Sequence, residues 1–433
     1  MMAIPDLFQG LFDRSGIVGL SGAIFDAKGV IPFAFGEGGH GPVDAATRFP
    51  IASCTKPLTA SAVCGLAEAG LLDLDRPVRT WIPDFRLHDP EATEEMTPRD
   101  VLCHRSGLPP HTWAWVYGEL DRAAFIRERL PHLESTGPFR EGYRYSNIAY
   151  AIAGHLVQAV AGMEWERFVG EEIFARHGMH HTRHLDEGWM DTEHLALPHA
   201  EGRRMPGFAA KARHLIAPAS EVMSTAPDLA TWLQAHIADP VFHRMTQAQV
   251  PIDSPVQPNK VLGPLHYGLG WRLDTIHGES HVWHSGLCSG YSAWMSVMPA
   301  RKSGLVLLAN SDRSLGWLKS MAYGFFHPAI DWTSCFVHAQ TDDVPATEGE
   351  TCDAPEGLDG VYLNAGYGSF RIQGDRAWFQ GRGPIPLTFS SREKARFTLP
   401  EYASGFNLDL VEDGLAIDFE PALAPIRFGK QDE

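Results

Sequence analysis

Ile51-Ala52-Ser53-Cys54-Thr55-Lys56-Pro57-Leu58 places a serine and a lysine three residues apart, at the predicted first turn of a helix. Side chains at i and i+3 share a helix face, so the amine of Lys56 can reach the hydroxyl of Ser53. A serine hydroxyl is a weak nucleophile until a base lies beside it. The positive end of the helix would also favour an oxyanion. The stretch therefore predicts Ser53 as a nucleophile of the S-x-x-K type.

Two other features of the sequence compete with this interpretation and are set aside. Ser391-Arg392-Glu393-Lys394 also fits S-x-x-K, but it lies in a polar stretch that opens no apolar helix. Cys54 adjoins the predicted nucleophile but points about 100° away from Ser53 on a helix. We therefore interpret Cys54 as a packed side chain.

The composition is that of an ordinary globular protein, with 433 residues, 44% hydrophobic residues and a formal net charge of −17. This charge argues against a nucleic-acid partner and offers no basic face to anionic lipid. No apolar run of about 18 residues occurs, so no membrane span is expected. The start of the chain shows no signal peptide, which predicts a cytoplasmic protein. The 6 cysteines include no C-x-x-C, so we expect them to be reduced.

On either side of the quoted stretch the chain alternates strand and helix signals. Residues 17–25 and 30–35 are apolar and flank a turn at 26–29, which predicts a β-hairpin. Downstream of Lys56 come the runs AGLLDLDRPV, residues 69–78, and TPRDVLCHRSGLP, residues 97–109. The second run predicts a short helix that ends at Gly107.

In this order and spacing, the S-x-x-K and the two runs resemble the serine β-lactamase and penicillin-binding-protein-like hydrolases. The most similar branch holds class C β-lactamases, D-aminopeptidases, DD-peptidases and related esterases, and the resemblance spans roughly residues 15–330. It implies an α/β (α+β) fold, in which an antiparallel sheet is flanked by helices and joined to an all-helical subdomain.

Tyr143-Arg144-Tyr145-Ser146-Asn147 precedes an apolar helical pattern and carries the family's Y-x-N at Tyr145 and Asn147. A tyrosine beside a lysine ammonium can have a lowered pKa and shuttle a proton. Asn147 can donate to a substrate carbonyl and also hold the lysine. The alternative is a packed tyrosine followed by a helix-capping asparagine. Tyr362-Leu363-Asn364 fits the same pattern, but it begins no helix.

Two histidines compete for the family's third motif, where lactamases carry K-T-G and several peptidases and esterases carry H-x-G. His284-Ser285-Gly286 is preferred over His266-Tyr267-Gly268, which lies in a stretch resembling the family's YGLGW strand. The resemblance implies that Ser285 and Gly286 adjoin the substrate, since a glycine permits close backbone approach. It also implies an oxyanion hole built from the backbone N–H groups of Ser53 and Leu287.

Replacing the K-T-G lysine with a histidine changes the expected substrate. A lysine fixes a substrate carboxylate with a permanent charge, whereas neutral His284 offers only hydrogen bonds at pH 7. Penicillin-type substrates carry such a carboxylate. The sequence therefore favours neutral esters, amides or peptides with a differently placed carboxylate over a true β-lactamase substrate.

No cofactor or metal is expected. His180 and His184 are four residues apart, but no acidic or cysteine ligand stands at metal spacing beside them. Trp113 follows the turn at Gly107, where the family's substrate-facing loops vary. We take Trp113 as a candidate for lining an apolar substrate pocket, with core or surface packing as the equal alternative.

The C-terminal part of the chain has a different pattern. Residues 1–338 are predicted to form the catalytic domain, which the strand–turn–strand pattern of 297–310 and a helix over 317–326 would complete. Residues 339–356 are polar and acidic and predict a linker. Short alternating runs over 357–433 predict a small antiparallel β-barrel. Residues 360–368 resemble the start of a lipocalin-like domain, from which a barrel loop can reach the catalytic cleft. Tyr367 is therefore a candidate substrate contact, with a packed turn tyrosine as the favoured alternative.

The leading hypothesis is a serine acyl-enzyme hydrolase of amide or ester bonds, acting on small or D-amino-acid-containing peptides. Ser53, Lys56, Tyr145, Asn147 and His284 would be its catalytic residues. One alternative is a biosynthetic acyltransferase or macrocyclising peptide thioesterase. Another is a sensor that is acylated once without turnover. The expected partner is a small-molecule or peptide substrate, and the sequence predicts no oligomeric state.

Overall fold

The computed structural model describes residues 4–118, 120–186, 188–205, 214–254, 261–337, 352–399 and 404–431. In these ranges, no helix is both long enough and apolar enough to cross a bilayer. The α-helices are α1 (Ile4–Ser15), α2 (Thr55–Glu68), α3 (Pro90–Glu95), α4 (Pro98–Leu102), α5 (Thr112–Trp115), α6 (Arg122–Glu128), α7 (Asn147–Ala161), α8 (Trp165–Val169), α9 (Ala217–Ser220), α10 (Ala226–His236), α11 (Pro240–Met245), α12 (Leu315–Phe326) and α13 (Thr333–Phe336).

The strands fall into two groups along the chain. Those that precede residue 310 are β1 (Gly19–Asp26), β2 (Gly29–Gly36), β3 (Phe49–Pro50), β4 (Arg183–His184), β5 (His199–Ala200), β6 (Arg203–Arg204), β7 (Val222–Ser224), β8 (Val250–Pro251), β9 (His266–Tyr267), β10 (Arg272–Ile276), β11 (Glu279–Cys288), β12 (Tyr291–Met298) and β13 (Ser303–Ala309). Those that follow are β14 (Gly360–Asn364), β15 (Gly368–Gln373), β16 (Arg376–Phe379), β17 (Arg382–Ser391), β18 (Lys394–Leu399), β19 (Ser404–Val411), β20 (Gly414–Ile417) and β21 (Ile426–Lys430).

A central antiparallel sheet has the strand order β2-β1-β13-β12-β11-β10-β9-β8. Its strands alternate their side chains between two buried layers, as the period of a β-strand requires. Leu20 and Ile24 of β1 pack with α1 and α12 on one face, whereas Ala23 and Phe25 join the core on the other face, where α2 and α10 lie. The structure thus confirms the predicted fold class of an antiparallel sheet flanked by helices.

The helical part of the molecule surrounds α2. Helices α7, α9 and α11 pack against it, and most of its residues are buried, including the polar Thr55, Lys56 and Thr59. A helix buried on nearly all sides lies inside a protein rather than on its surface. The lysine predicted to serve Ser53 is therefore held in an interior that excludes water.

The turn after α4 differs from the sequence prediction. The helix ends at Leu102 rather than near Gly107, and the chain turns at His104, whose φ is +62°. The carbonyl oxygen of His104 accepts a hydrogen bond from the N–H of Arg144 at 2.9 Å. A long-range contact therefore stabilises a left-handed conformation that is uncommon outside glycine.

Strands β14 to β21 form a closed antiparallel barrel, as the alternating pattern predicts. Its interior is filled by phenylalanine rings, namely Phe370, Phe379, Phe397, Phe406, Phe419 and Phe428. Residues 338–351 of the predicted linker lie outside the described residues, and 352–356 lead into the barrel. The division into domains 1–338 and 357–433 stays a proposal, as does the likeness of the barrel to lipocalins.

Candidate active site

The turn that carries Ser53 lies between a short β-strand, β3, and the start of helix α2. Before it, β3 pairs with β7, and the N–H of Ile51 donates to Val222 O at 2.9 Å. Ala52 has a φ of +45°, an uncommon conformation for a residue with a side chain. Ser53 lies in a single 3-10 turn over Ala52–Cys54 that runs directly into α2. The predicted helix start is therefore present, with Ser53 just ahead of the regular α-helix.

Cys54 points away from the site, as expected from its position on the turn. Its side chain is fully buried, and its Sγ lies 3.5 Å from the carbonyl oxygen of His284 on β11. Burial raises the pKa of the Cys54 thiol. A protonated, enclosed thiol is a poor nucleophile, which leaves the half-buried Ser53 as the candidate nucleophile of this turn.

Lys56 is fully buried, and its Nζ has three polar neighbours. It lies 3.2 Å from Ser53 Oγ, 2.8 Å from Asn147 Oδ1 and 3.1 Å from the carbonyl oxygen of Ala219. Burial, assisted by the positive charge of Arg272, holds the pKa of Lys56 well below its usual value. The oxygens of Asn147 and Ala219 accept hydrogen bonds from Nζ. The lowered pKa favours the neutral amine, in which a lone pair is available to the Ser53 hydroxyl.

Tyr145 lies on the other side of the serine. Its hydroxyl donates to Ser53 Oγ at 2.7 Å, and its ring centre is 4.6 Å from Lys56 Nζ. The expected lowering of its pKa is wrong. Removal of the phenol from water raises the pKa of Tyr145, because desolvation disfavours the phenolate. Tyr145 is therefore a protonated donor at neutral pH.

Asn147 is the first residue of α7, and Ser146 occupies the cap position before it. The alternative of a helix-capping asparagine is therefore not what the structure shows. The Asn147 side chain holds Lys56 instead, through Oδ1. The structure thus brings Ser53, Lys56, Tyr145 and Asn147 into direct contact, although their catalytic roles remain a prediction.

His284 on β11 is only 1% exposed, and both of its ring nitrogens have hydrogen-bond partners in the protein. Nδ1 is 2.7 Å from Ser285 O, and Nε2 is 2.9 Å from the hydroxyl of Tyr267. A carbonyl only accepts, so Nδ1 carries the hydrogen and Nε2 accepts from Tyr267. Burial and the charge of Arg272 lower the pKa of His284. The neutral ring therefore holds Tyr267 and is closed to solvent.

The rejected histidine, His266, precedes Tyr267 on β9 and is half-buried. The residue of this segment that contacts His284 is Tyr267, which the sequence analysis did not identify. The stretch resembling YGLGW contains it, but only the tertiary contact with His284 reveals the partner.

Gly286 brings β11 against the nucleophile turn. A Cβ built on it would lie 2.1 Å from the carbonyl oxygen of Ile51, far inside van der Waals contact. The glycine therefore permits close approach of β11 to this turn, and the contact of Ser285 and Gly286 with substrate stays a prediction. Leu287, the next residue, has a side chain that is 55% exposed. The oxyanion hole of Ser53 and Leu287 N–H groups stays a prediction.

Trp113 does not line an open pocket. Its side chain is 8% exposed, with its ring edge-on to Phe406 at 4.8 Å and stacked on Phe419 at 6.2 Å, both of the barrel. The apolar rings of the barrel bury it, so packing rather than substrate contact describes its position.

Tyr367 is also enclosed, with 2% of its surface exposed. Its hydroxyl lies 2.8 Å from Nδ1 of His111, and its ring stacks on Phe419. Neither the ring nor the hydroxyl is open to a substrate. Of the two interpretations of Tyr367, the structure therefore favours the packed tyrosine, which lies between the barrel and the preceding chain.

A model of the family described as Beta-lactamase matches residues 4–321. The chain belongs to the beta-lactamase family. The unguisins hydrolase ungD of Aspergillus violaceofuscus is 29% identical over an alignment of 308 residues, and the match covers 62% of this chain and 53% of that protein. The chain thus spans about half the length of this relative. Penicillin-binding protein 4* of Bacillus subtilis is 24% identical over an alignment of 402 residues, and the match covers 86% of this chain and 85% of that protein.

A solved structure shares the fold along nearly the whole chain. The octameric penicillin-binding protein homologue from Pyrococcus abyssi superposes with a TM-score of 0.67 at 21% identity, covering 99% of this chain and 100% of that one. The likeness extends through the barrel. It agrees with the predicted resemblance to penicillin-binding-protein-like hydrolases that carry an added C-terminal barrel.

In this beta-lactamase-family chain, Arg272 is a cation that sequence reasoning missed. Its guanidinium carbon lies 5.8 Å from the ring centre of Tyr143 and 6.0 Å from that of Tyr267. Its Nε is buried without a hydrogen-bond partner, and the described part of the chain contains no ion pair to it. The only sequence signal is its place directly after the LGW of the strand-like stretch.

His104 is a second missed residue of the family site. Its ring is buried, with its centre 4.6 Å from that of Tyr145, and its Nδ1 accepts from the N–H of Ser146 at 3.2 Å. The sequence feature that could have indicated His104 is its position in the CHRSGLP run, from which only the end of a helix was predicted.

The histidine-rich segment makes packing contacts instead of a metal cluster. His184 Nε2 lies 2.8 Å from the carbonyl oxygen of Glu166, and its ring packs against Trp165 and Phe174. Across the residues that the structure describes, no group of three or more His, Cys, Asp or Glu side chains is arranged to hold a metal ion.

Proposed function

We propose that this chain is a serine hydrolase that cleaves amide or ester bonds of small peptide-like substrates through an acyl-enzyme at Ser53. The observation that carries the proposal is the position of Ser53 Oγ, 3.2 Å from Lys56 Nζ and 2.7 Å from the Tyr145 hydroxyl. A nucleophile with a base on one side and a proton donor on the other is equipped for acyl transfer.

In the first step Lys56 is the base. The Ser53 oxygen bonds to the substrate carbonyl carbon while its proton passes to the neutral amine of Lys56. The carbonyl oxygen becomes an oxyanion, which the N–H groups of Ser53 and Leu287 stabilise. Asn147 and Ala219 keep the amine oriented throughout, because their oxygens accept its other hydrogens.

Collapse of this intermediate breaks the bond to the leaving amine or alcohol. The leaving group takes the proton of the Tyr145 phenol, and the Lys56 ammonium returns a proton to Tyr145. The raised pKa of Tyr145 keeps the phenol protonated before this step, so that it holds a proton to give when negative charge develops on the leaving group. Water then attacks the acyl-enzyme with Lys56 again as the base, which releases the acid and restores Ser53.

Arg272 supports a substrate with an anionic group near the cleft. Its half-buried guanidinium is bordered by the rings of Tyr143, Tyr267 and Trp283, and such rings stabilise a cation without neutralising it. His284 is neutral, so Arg272 supplies the permanent charge that the K-T-G lysine would have provided. We therefore propose peptides with a free carboxylate, including D-amino-acid peptides, as the substrate class.

The test is detection of the acyl-enzyme by intact mass after incubation with D-amino-acid amides, short esters, thioesters and a cephalosporin. Covalent adducts and labelling by a fluorophosphonate are expected in the unaltered chain and absent in Ser53→Ala. Ser391→Ala is the matched control, because Ser391 belongs to the second S-x-x-K and lies at the end of β17. Labelling that survives Ser53→Ala would exclude Ser53 as the nucleophile.

The same panel tests the substrate class and the fate of the acyl group. Arg272→Gln is expected to raise KM for carboxylate-bearing peptides and leave KM unchanged for their C-terminal amides. Steady release of free acid indicates hydrolysis. Accumulation of amine adducts would instead support the acyltransferase alternative, and a single turnover would support the sensor.

A further inference from the structure

The barrel contacts the preceding chain at a buried histidine. His111 is 1% exposed and adopts a φ of +42°. Its Nδ1 lies 2.8 Å from the Tyr367 hydroxyl and its Nε2 lies 2.8 Å from the carbonyl oxygen of Glu134. Its backbone N–H donates to Glu420 Oε2 at 3.2 Å. Two barrel residues, Tyr367 and Glu420, therefore hold one residue of the preceding chain.

The hydrogen positions at this contact follow from its partners. The Glu134 carbonyl only accepts, so Nε2 of His111 carries the hydrogen and Nδ1 presents a lone pair. Burial lowers the pKa of His111 to about 4, which keeps the ring neutral near pH 7. The Tyr367 hydroxyl is therefore the donor to Nδ1. Without that hydroxyl, the described surroundings would leave a buried acceptor unsatisfied, which is costly.

Residues 104–111, the segment that ends at His111, also contact the residues around Ser53. The carbonyl oxygen of Pro109 accepts from the Ser146 hydroxyl at 3.2 Å, and Nδ1 of His104 accepts from the Ser146 N–H at 3.2 Å. Ser146 lies between Tyr145 and Asn147, which contact Ser53 and Lys56. A shift of residues 104–111 would therefore move both neighbours of Ser146.

We propose that Tyr367 is a positioning residue for the reaction at Ser53. Through His111 it fixes residues 104–111, and through Ser146 this segment sets the positions of Tyr145 and Asn147. The ring of Tyr367 is itself held, since it stacks on Phe419 with an interplanar angle of 6°. The barrel thus acts on the reaction without touching substrate, a role that rests on the proposed function of Ser53.

The test compares two barrel tyrosines that each lose one buried hydroxyl. Tyr367→Phe removes the donor to His111 and keeps the stacked ring. Tyr362→Phe is the control, because the Tyr362 hydroxyl donates to Leu358 O within the barrel. Both variants are made in the full chain. Fluorophosphonate labelling is measured over a range of probe concentrations, and amide hydrogen exchange is followed in peptides from 104–111 and 144–148.

Tyr367→Phe is expected to lower the maximal labelling rate about tenfold, because small displacements of reacting groups greatly reduce the rate of reaction. The half-saturating probe concentration stays unchanged, and amide exchange accelerates in both peptides. Tyr362→Phe changes neither quantity. Equal labelling rates and equal exchange in the two variants would overturn the positioning role.

The two readouts separate failure of this role from failure of the proposed function. If Ser53→Ala abolishes labelling while Tyr367→Phe labels normally, the chain is a serine hydrolase in which Tyr367 has no positioning role. If the unaltered chain is not labelled, the proposed function fails, and hydrogen exchange alone decides whether Tyr367 orders residues 104–111 and 144–148.

Discussion

At the scale of single residues, burial decides the chemistry of Lys56. An exposed lysine is an ammonium at neutral pH, with a pKa near 10.4. Enclosed in the core and near the charge of Arg272, Lys56 has a pKa well below its usual value. Its amine can then accept the Ser53 proton without first losing one to water. The same enclosure has the opposite effect on Tyr145, whose pKa rises.

The labelling rate at Ser53 should therefore follow the deprotonation of Lys56. Because the neutral amine is the active form, the fluorophosphonate rate should be low in acid and rise to a plateau above the pKa of Lys56. Arg272→Gln removes a positive charge that lowers this pKa, so the rise should move to higher pH. The measurement is the second-order labelling rate as a function of pH.

Arg167→Gln is the control for this pH profile. Arg167 is exposed and pairs with Glu171 on the surface, so its loss should leave the profile in place. An identical profile in Arg272→Gln and the unaltered chain would contradict the electrostatic role of Arg272.

At the scale of elements, the site depends on how closely β11 approaches the turn before α2. The contact is made by backbone: a Cβ at Gly286 would meet Ile51 O at 2.1 Å and the Cβ of Ala52 at 3.2 Å. Neither neighbour can rotate away, unlike the end of a long side chain. Any side chain larger than that of glycine at position 286 would consequently increase the separation between the backbone of Ser53 and that of Leu287.

Gly286→Ala is expected to push β11 away from this turn. The overpacking should cost about 1–3 kcal/mol of stability. Loss of one oxyanion donor should slow acylation by about 100- to 1,000-fold. Labelling rates and thermal unfolding measure the two effects.

Gly65→Ala is the matched control on α2, where an added Cβ meets no atom within 4 Å. It should label normally, and the better helix former should slightly raise the melting temperature. Normal labelling of Gly286→Ala would show that β11 does not supply the oxyanion donor.

At the scale of the whole molecule, the barrel is packed onto the preceding chain rather than tethered beside it. Trp113 enters the aromatic packing of the barrel at Phe406 and Phe419. Nearby, Gln380 donates to the carbonyl oxygen of Trp113 at 2.8 Å and accepts from Arg129 at 3.1 Å. These contacts flank His111 and reinforce the segment that supports Ser146.

Trp113→Ala should therefore destabilise the molecule, because it leaves a cavity between the barrel and the rest. A loss of about 3–5 kcal/mol in the free energy of unfolding is expected for a buried tryptophan, measured by denaturant titration. Trp378→Ala is the control, since Trp378 is half-buried on the barrel and covered by Arg371. Equal losses in the two variants would contradict a specific role of Trp113 in docking the barrel.

Local patterns predicted what depends on local geometry. The spacing of Ser53 and Lys56 follows from the helix period, and the alternating runs after residue 357 follow from the strand period. The same reasoning misplaced the end of α4, because the turn at His104 is stabilised by Arg144, forty residues further along the chain. It left Trp113 and Tyr367 open between substrate contact and packing, because their exposure depends on where the barrel docks.

The amino-acid sequence by itself determined the family, the fold class and the side chains that surround Ser53, because short motifs and periodic apolar patterns specify them. Only the tertiary structure decided that the carbonyl oxygen of Ala219 joins Asn147 at Lys56, that the Tyr267 hydroxyl is the partner of His284, and that Arg272 lies beside the ring of Tyr267. These properties depend on desolvation and on contacts between distant segments, and neither is encoded in the spacing of neighbouring residues.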